Sequence, residues 1–319
     1  MMDVKVETSI CPLLDGNDRI AASVIVCTHN PRQDYFCRTI DALRSQSLPA
    51  EGWEFLVVDN CSVPPVAVDL TWHPHACLLR ETTIGLTNAR ICGIEQASAD
   101  LLIFVDDDNV LAPDYLERTL EIARDWPILG TWGGQIVPEF EISPPAWTRP
   151  YWKALSLREV RQDLWSNLPG AADSEPFGAG MCVRRRVAFY YREVLRKDIR
   201  RSLLGRKGHK LTSGEDSDLA WAACDLGLGN GVFARLKLTH LIPQMRLEER
   251  YLLRLVEGLS FSKVMLDSIH GVAPSQPSRS QRLYDFYRHL RLSARERRFI
   301  AAKARGRTAA LAKIKAHTR

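Results

Sequence analysis

The chain reads as an α/β protein built on a largely parallel sheet, with a basic helical extension after it. Two observations predict this. Short β-branched runs alternate with helical periodicity through the first 130 residues. Parallel neighbours need a crossover, usually a helix, so this alternation implies βαβ units. In addition, three apolar runs end in polar residues: Thr28-His29-Asn30, Asp59-Asn60 and Asp106-Asp107-Asp108. In open α/β sheets ligands bind beyond the carboxyl ends of the strands. The three ends are therefore expected to converge on one site.

The elements follow in order. Residues 1–20 read as a loose leader. Ala22 to Cys27 is a buried strand, broken by the turn Thr28-His29-Asn30-Pro31. Phe36, Ile40 and Leu43 mark an amphipathic helix. Trp53 to Val58, Cys77 to Leu79 and Leu101 to Val105 read as strands, with a helix over Ile84 to Ala97. Leu129 to Val137 is a strand interrupted by Gly133-Gly134. Residues 138–176 are irregular and rich in Pro and Trp. Arg184 to Arg201 is a basic helix. Glu215 to Leu226 is a helix with Ser213 as cap and Gly227 as stop. Val232 to Leu238 is a further strand. Beyond Pro243 the chain turns helical and basic, with Gln276-Pro277-Ser278 as a linker. The expected division is a leader (1–20), a nucleotide-binding half (21–130), an acceptor and catalytic half (131–243) and a C-terminal extension (244–319).

Composition bounds the class. The 319 residues are 45% apolar and 25% charged, an ordinary globular balance. No apolar run reaches the roughly 18 residues of a membrane span, and no signal peptide is expected. The eight cysteines contain no C-x-x-C pair and suit small buried side chains in a reducing cytosol. The net charge of +5 is unevenly placed. Arg279 to Arg319 holds thirteen Lys/Arg against two acids, so the residues before it are net acidic. Leu283, Phe286, Tyr287, Leu290 and Leu292 interleave with its arginines. Residues 279–319 therefore suit an anionic membrane surface, placing the protein in the cytoplasm or on the inner face of the membrane. Nucleic acid is not the expected partner.

Several residues could carry chemistry. Three consecutive acids at a buried strand end need a counter-charge. A divalent cation supplies it, and hard oxygen ligands suit Mg²⁺ or Mn²⁺, which in turn bridge phosphates. Asp59 could accept from a base or ribose, or simply close an Asx-turn. Glu215-Asp216 opens a helix, where acids also complement the macrodipole; one of them could take a proton from an attacking hydroxyl. His240 follows a strand and could meet metal or diphosphate. Arg90, near Asn88, could pair with a base or phosphate. Trp147, Trp152 and Trp165 could stack on sugars or serve plain packing.

The ordered pieces resemble the family 2 glycosyltransferases of the GT-A fold. They are Ser23 to Arg32, Val57-Val58-Asp59-Asn60 with Ser62, Gly85-Leu86 with Asn88-Ala89-Arg90, Phe104 to Asn109, Gly178 to Met181 and Gly214 to Leu219. The resemblance implies a Rossmann-like mixed sheet flanked by helices. It implies inverting, hexosyl-type transfer from a nucleoside diphosphate sugar to a hydroxyl acceptor (a glycan, glycolipid, lipid-linked acceptor or polysaccharide precursor), with Mn²⁺ or Mg²⁺ as cofactor. By position it places Thr28, Asn30, Arg32, Asp59, Asn88, Arg90, Asp106, Asp107 and Gly180 at the nucleotide-sugar. Asp108, Asp106 and His240 fall at the metal, and Asp216 is the base, with Glu215 beside it.

The chain departs from the family pattern by lacking an arginine soon after the Glu-Asp pair and the Gln/Arg-x-x-Arg-Trp element of processive synthases. That favours single additions. A nucleotidyltransferase would start with a Gly-rich loop, and a dinucleotide oxidoreductase needs G-x-G-x-x-G; neither is present. The remaining alternative is a degenerate GT-A binding module held to a membrane by the basic extension.

Overall fold

The structure, a computed structural model, describes residues 7–8, 20–208, 210–272 and 291–317. Its strands are β1 (Glu7–Thr8), β2 (Ala22–Thr28), β3 (Trp53–Asn60), β4 (Ala76–Glu81), β5 (Leu101–Asp106), β6 (Asn109–Leu111), β7 (Leu129–Phe140), β8 (Leu164–Ser166), β9 (Cys182–Arg184) and β10 (Gly229–Ile242). Its helices are α1 (Gln33–Arg44), α2 (Leu86–Gln96), α3 (Tyr115–Asp125), α4 (Arg185–Lys197), α5 (Glu215–Asp225), α6 (Glu249–Ile269) and α7 (Ala294–His317). The strands form one mixed sheet in the order β1-β4-β3-β2-β5-β9-β7-β10-β6, with β8 paired to β10.

The half that bears on the site is parallel: β4, β3, β2 and β5 all run the same way. All seven residues of β2 and all eight of β3 are buried, as continuous apolar strands covered on both faces should be. The two-residue period assigns the faces. Val24 and Val26 join one core cluster with Phe36, Ile40 and Leu116. Ile25 and Cys27 join the other with Ala89, Val187 and Leu219. One face thus carries α1, α3 and part of α6; the other carries α2, α4 and α5. A third, smaller cluster joins Trp221 of α5, Met265 of α6 and Ala310 of α7.

Several expectations need correction. At Gly133-Gly134 β7 itself runs on from Leu129 to Phe140, but its pairing with β10 is interrupted there, the register jumping from Phe233 opposite Gly134 to Lys237 opposite Gln135. A Cβ at Gly134 would lie 2.2 Å from the Leu236 carbonyl oxygen, so the residue serves close approach of β10. Ser213 does not cap α5; the N-cap is Gly214, and Ser213 donates its backbone N–H to Ser262. Arg184 to Arg201 is not one helix, because α4 stops at Lys197 and a 3-10 turn follows over Ile199–Leu203. Within the leader, Glu7–Thr8 pairs antiparallel with β4. Residues 138–176 hold the end of β7, a 3-10 segment over Ala146–Leu155 and β8. Trp152 packs on Phe140 and Trp147 lies under Arg295, whereas Trp165 is half exposed. The linker 276–278 and Leu283, Phe286, Tyr287 and Leu290 lie outside the described residues. Among those described, no helix is long and apolar enough to cross a membrane.

Candidate active site

The carboxyl ends of β2 and β5, the start of α2, the start of α5 and the end of β10 meet around one cavity. Parallel register explains the first step, for Thr28 of β2 pairs with Asp59 of β3 while Cys27 pairs with Asp106 of β5. The acidic run therefore emerges beside Thr28. The Thr28 hydroxyl donates to Asp107 Oδ2 at 2.6 Å. Burial pushes the Asp107 carboxyl up, and the adjacent Asp108 charge adds to the rise.

Asp108 is held the other way. Burial alone would raise its pKa, but the neighbouring cations, His240 when protonated and Arg246, more than offset that and keep it well below the usual carboxylate range. Arg246 Nη2 lies 2.9 Å from Asp108 Oδ2, and His240 Nε2 lies 3.4 Å from the same oxygen. Asp108 Oδ1 accepts from the Asn109 amide at 3.0 Å. The Arg246 guanidinium also donates to His240 Nε2 at 3.0 Å. An arginine cannot accept, so this bond needs the His240 proton on Nδ1. That Nδ1 is buried without a partner.

The α5 end contributes the second pair of carboxylates. Asp216 Oδ2 accepts the Gly178 N–H at 3.1 Å, and Oδ1 accepts the Ser217 N–H at 2.9 Å. Glu215 lies deeper. Burial and then Asp216 raise its pKa, against Arg90, whose Nη1 is 3.6 Å away. Arg90 is itself buried beneath the cavity, over the Phe104 ring, with Nη2 3.9 Å from Asp106. It links the acidic run to the α5 end electrostatically.

Of the residues expected at the site, Thr28, Arg90, Asp106, Asp107, Asp108, Glu215, Asp216 and His240 line the cavity. The others do not. Both Asp59 oxygens are taken, by the N–H groups of Ser62 and Val66 and by Arg80, so it closes the turn after β3. Asn30 holds the Val63 N–H, and Asn88 donates to the Thr83 and Ile84 carbonyls. Arg32 is exposed, paired with Asp34 and Glu141. Gly180, at φ 70°, bonds the Tyr115 hydroxyl through its carbonyl. Asn60, the last residue of β3, reaches the cavity as the strand-end argument expected. Arg206 and Arg246 also line the cavity and were not anticipated. Arg206 sits in a loop and Arg246 on the 3-10 turn Gln244–Leu247, with no local signal at either.

Residues 23–174 match the family model described as glycosyl transferase family 2. Over that stretch, a little under half of its length, the chain is similar to that family. Its sheet is mixed and flanked by helices. An uncharacterized glycosyltransferase of Haemophilus influenzae is 28% identical over 106 residues, which span 33% of this chain and only 35% of that protein. The succinoglycan biosynthesis protein ExoM of Rhizobium meliloti is 24% identical over 277 residues, 80% of this chain and 79% of that protein. The crystal structure of S. aureus TarS residues 1–349 superposes with a TM-score of 0.47 at 15% identity, covering 89% of this chain and 81% of that one.

Proposed function

We propose that this chain is a glycosyltransferase that moves a sugar from a nucleoside diphosphate sugar to a hydroxyl acceptor, with inversion in a single displacement. The observation that carries the reading is the meeting of Asp106-Asp107-Asp108 with Asp216 across one cavity, from elements more than a hundred residues apart. On this reading the nucleotide is held by residues of 21–130, chiefly Thr28, Asp107 and Arg90. The acceptor is met by residues of 131–243, chiefly Asp216 and the segment around Gly178.

Among the described residues no three His, Cys, Asp or Glu side chains gather as a metal cage, so the fit of a divalent cation rests on two donors and on oxygens that the diphosphate would add. Asp108 offers a hard carboxylate oxygen, and the His240 Nε2 lone pair faces the same point. Asp108 and His240 would hold Mn²⁺ or Mg²⁺, with Asp106 nearby. Bound there, the ion would neutralise charge on the leaving diphosphate.

The rest of the chemistry belongs to the chain's own residues. The acceptor oxygen attacks the anomeric carbon as the bond from that carbon to the phosphate oxygen breaks. The nucleoside diphosphate leaves with the bonding pair. Asp216 takes the hydroxyl proton, as a carboxylate that lines the cavity and is oriented by the Gly178 and Ser217 N–H groups. Glu215 balances the buried Arg90 and so fixes the floor under Asp216.

The acceptor class we favour is a polysaccharide precursor, in line with the succinoglycan role that ExoM's name records for that relative. A lipid-linked precursor would bring the substrate to a membrane. The extension keeps exposed cations for such a surface, among them Arg297, Lys303 and Lys315. Because Phe299, Ala302 and Ala310 are buried in the fold, charge reversal at Lys303 and Lys315 is a better test than truncation. Unchanged sedimentation with anionic liposomes would remove the membrane from the proposal.

The main test screens uridine, guanosine and thymidine diphosphate sugars with Mn²⁺ for release of nucleoside diphosphate. Asp108→Ala should lower metal-dependent release by about 10²-fold or more. Release that survives Asp108→Ala undiminished sinks the assignment. Absence of release from every donor, with nucleotide binding intact in a thermal-shift assay, would favour a degenerate binding module.

A further inference from the structure

Arg246 lies on the 3-10 turn Gln244–Leu247, between β10 and α6. Its side chain turns back into the cavity, and its two terminal nitrogens have separate partners: Nη2 on Asp108 Oδ2 at 2.9 Å and Nη1 on His240 Nε2 at 3.0 Å. These are the two atoms that the proposed function assigns to the divalent ion. They stand 3.4 Å apart, bridged by one guanidinium.

A guanidinium and a metal ion cannot use the same lone pairs at once. Asp108 Oδ1 is engaged by Asn109, so Oδ2 is the oxygen in contention. The cluster also needs a cation at all times, since three carboxylates follow one another at Asp106, Asp107 and Asp108. Once released from Asp108, the guanidinium would need another anion within the cavity. A diphosphate supplies it, because its oxygens match the planar donor fork of arginine.

We infer that Arg246 is the resident counter-cation of Asp108 and His240, and that it yields them to the divalent ion only as the donor's diphosphate arrives to receive it. The inference rests on the proposed function for the identity of the ion and the diphosphate. It makes Arg246 a positioning residue that couples two ligands. The ion alone binds weakly, because it must displace a bonded guanidinium. The ion with diphosphate binds strongly, because the displaced guanidinium finds a partner.

The experiment compares wild type, Arg246→Met and Arg246→Lys by calorimetry and Mn²⁺ electron paramagnetic resonance. The probes are Mn²⁺ alone and preformed Mn²⁺–pyrophosphate. Arg246→Met should bind Mn²⁺ alone at least about tenfold more tightly than wild type, and Mn²⁺–pyrophosphate at least about tenfold more weakly. Arg246→Lys keeps the charge but not the fork, and should fall between the two for both probes. Asp108→Asn should abolish the tight Mn²⁺ binding in the Arg246→Met background, which ties the measured ion to this carboxylate. A Mn²⁺ affinity that Arg246→Met leaves unchanged or weakens overturns the inference. So does an unchanged affinity for Mn²⁺–pyrophosphate. Failure of the proposed function looks different: the two opposite shifts would persist while no donor sugar is turned over.

Discussion

Asp218 of α5 is fully buried, and its Oδ1 accepts from both the Arg201 guanidinium and His270 Nε2, the latter at 2.9 Å. Since α5 opens with Glu215 and Asp216, this pairing anchors the helix that presents them to the 3-10 turn Ile199–Leu203 and to the end of α6.

Removing one partner of such a pair leaves a charge stranded in the interior. Asp218→Ala is therefore expected to cost about 3–5 kcal/mol. Replacing both partners by apolar residues, Asp218→Leu with Arg201→Met, should recover much of that loss. Urea unfolding of the single and double variants measures the difference.

The two neighbouring acids at the start of α5 should fail in different ways. Asp216→Asn is expected to reduce kcat by about 10²- to 10⁴-fold with the unfolding midpoint unchanged, because its oxygens face the cavity and backbone N–H groups. Glu215→Gln should instead lower stability, because Glu215 is the buried partner of Arg90. Parallel kinetics and thermal unfolding would show the split, and equal stability losses would contradict it.

His73 predicts a pH dependence of stability. Its Nδ1 accepts the His75 N–H at 3.2 Å, its ring sits edge-on to Trp53, and its Nε2 is buried without a partner. Burial pushes its pKa down to about 4, with His75 adding to the shift. The unfolded chain takes up the proton near the ordinary value of about 6.5, and the folded chain does so only near the lower one. Stability is therefore full above about pH 6.5 and falls as the pH drops toward 4. Between about pH 7 and about pH 5 the loss should approach 2 kcal/mol. In His73→Asn that part of the slope should vanish, as denaturant midpoints at the two pH values would reveal.

Gly306 reverses a general rule. In an open helix Gly→Ala stabilises by about 0.8–1.0 kcal/mol. Here a Cβ would stand 2.1 Å from the Glu257 carbonyl oxygen and 3.1 Å from the Phe261 nitrogen, both on α6. Gly306→Ala should destabilise by about 1–3 kcal/mol, as overpacking does. It should also prise α7 from α6, and proteolysis within residues 294–317 would report that.

The sequence by itself determined the parallel half of the sheet and the strand ends that meet at the site. Continuous apolar strands alternating with amphipathic helices admit few other arrangements. Strand ends in a parallel sheet must point one way, so Thr28 and Asp106 to Asp108 were legible together. Only the tertiary structure decided how each side chain is used. Asp59 looked like a ligand group, but both its oxygens go to the turn and Arg80. Arg90 reaches the cavity, but it is also buried and paired with Glu215, a partner that no sequence spacing announces. Arg246 carried no local signal, because its partners Asp108 and His240 are brought to it by sheet pairing and a turn, which no sequence period records. Local periodicity specifies which face is buried; which charges neutralise one another depends on distances set by the whole fold.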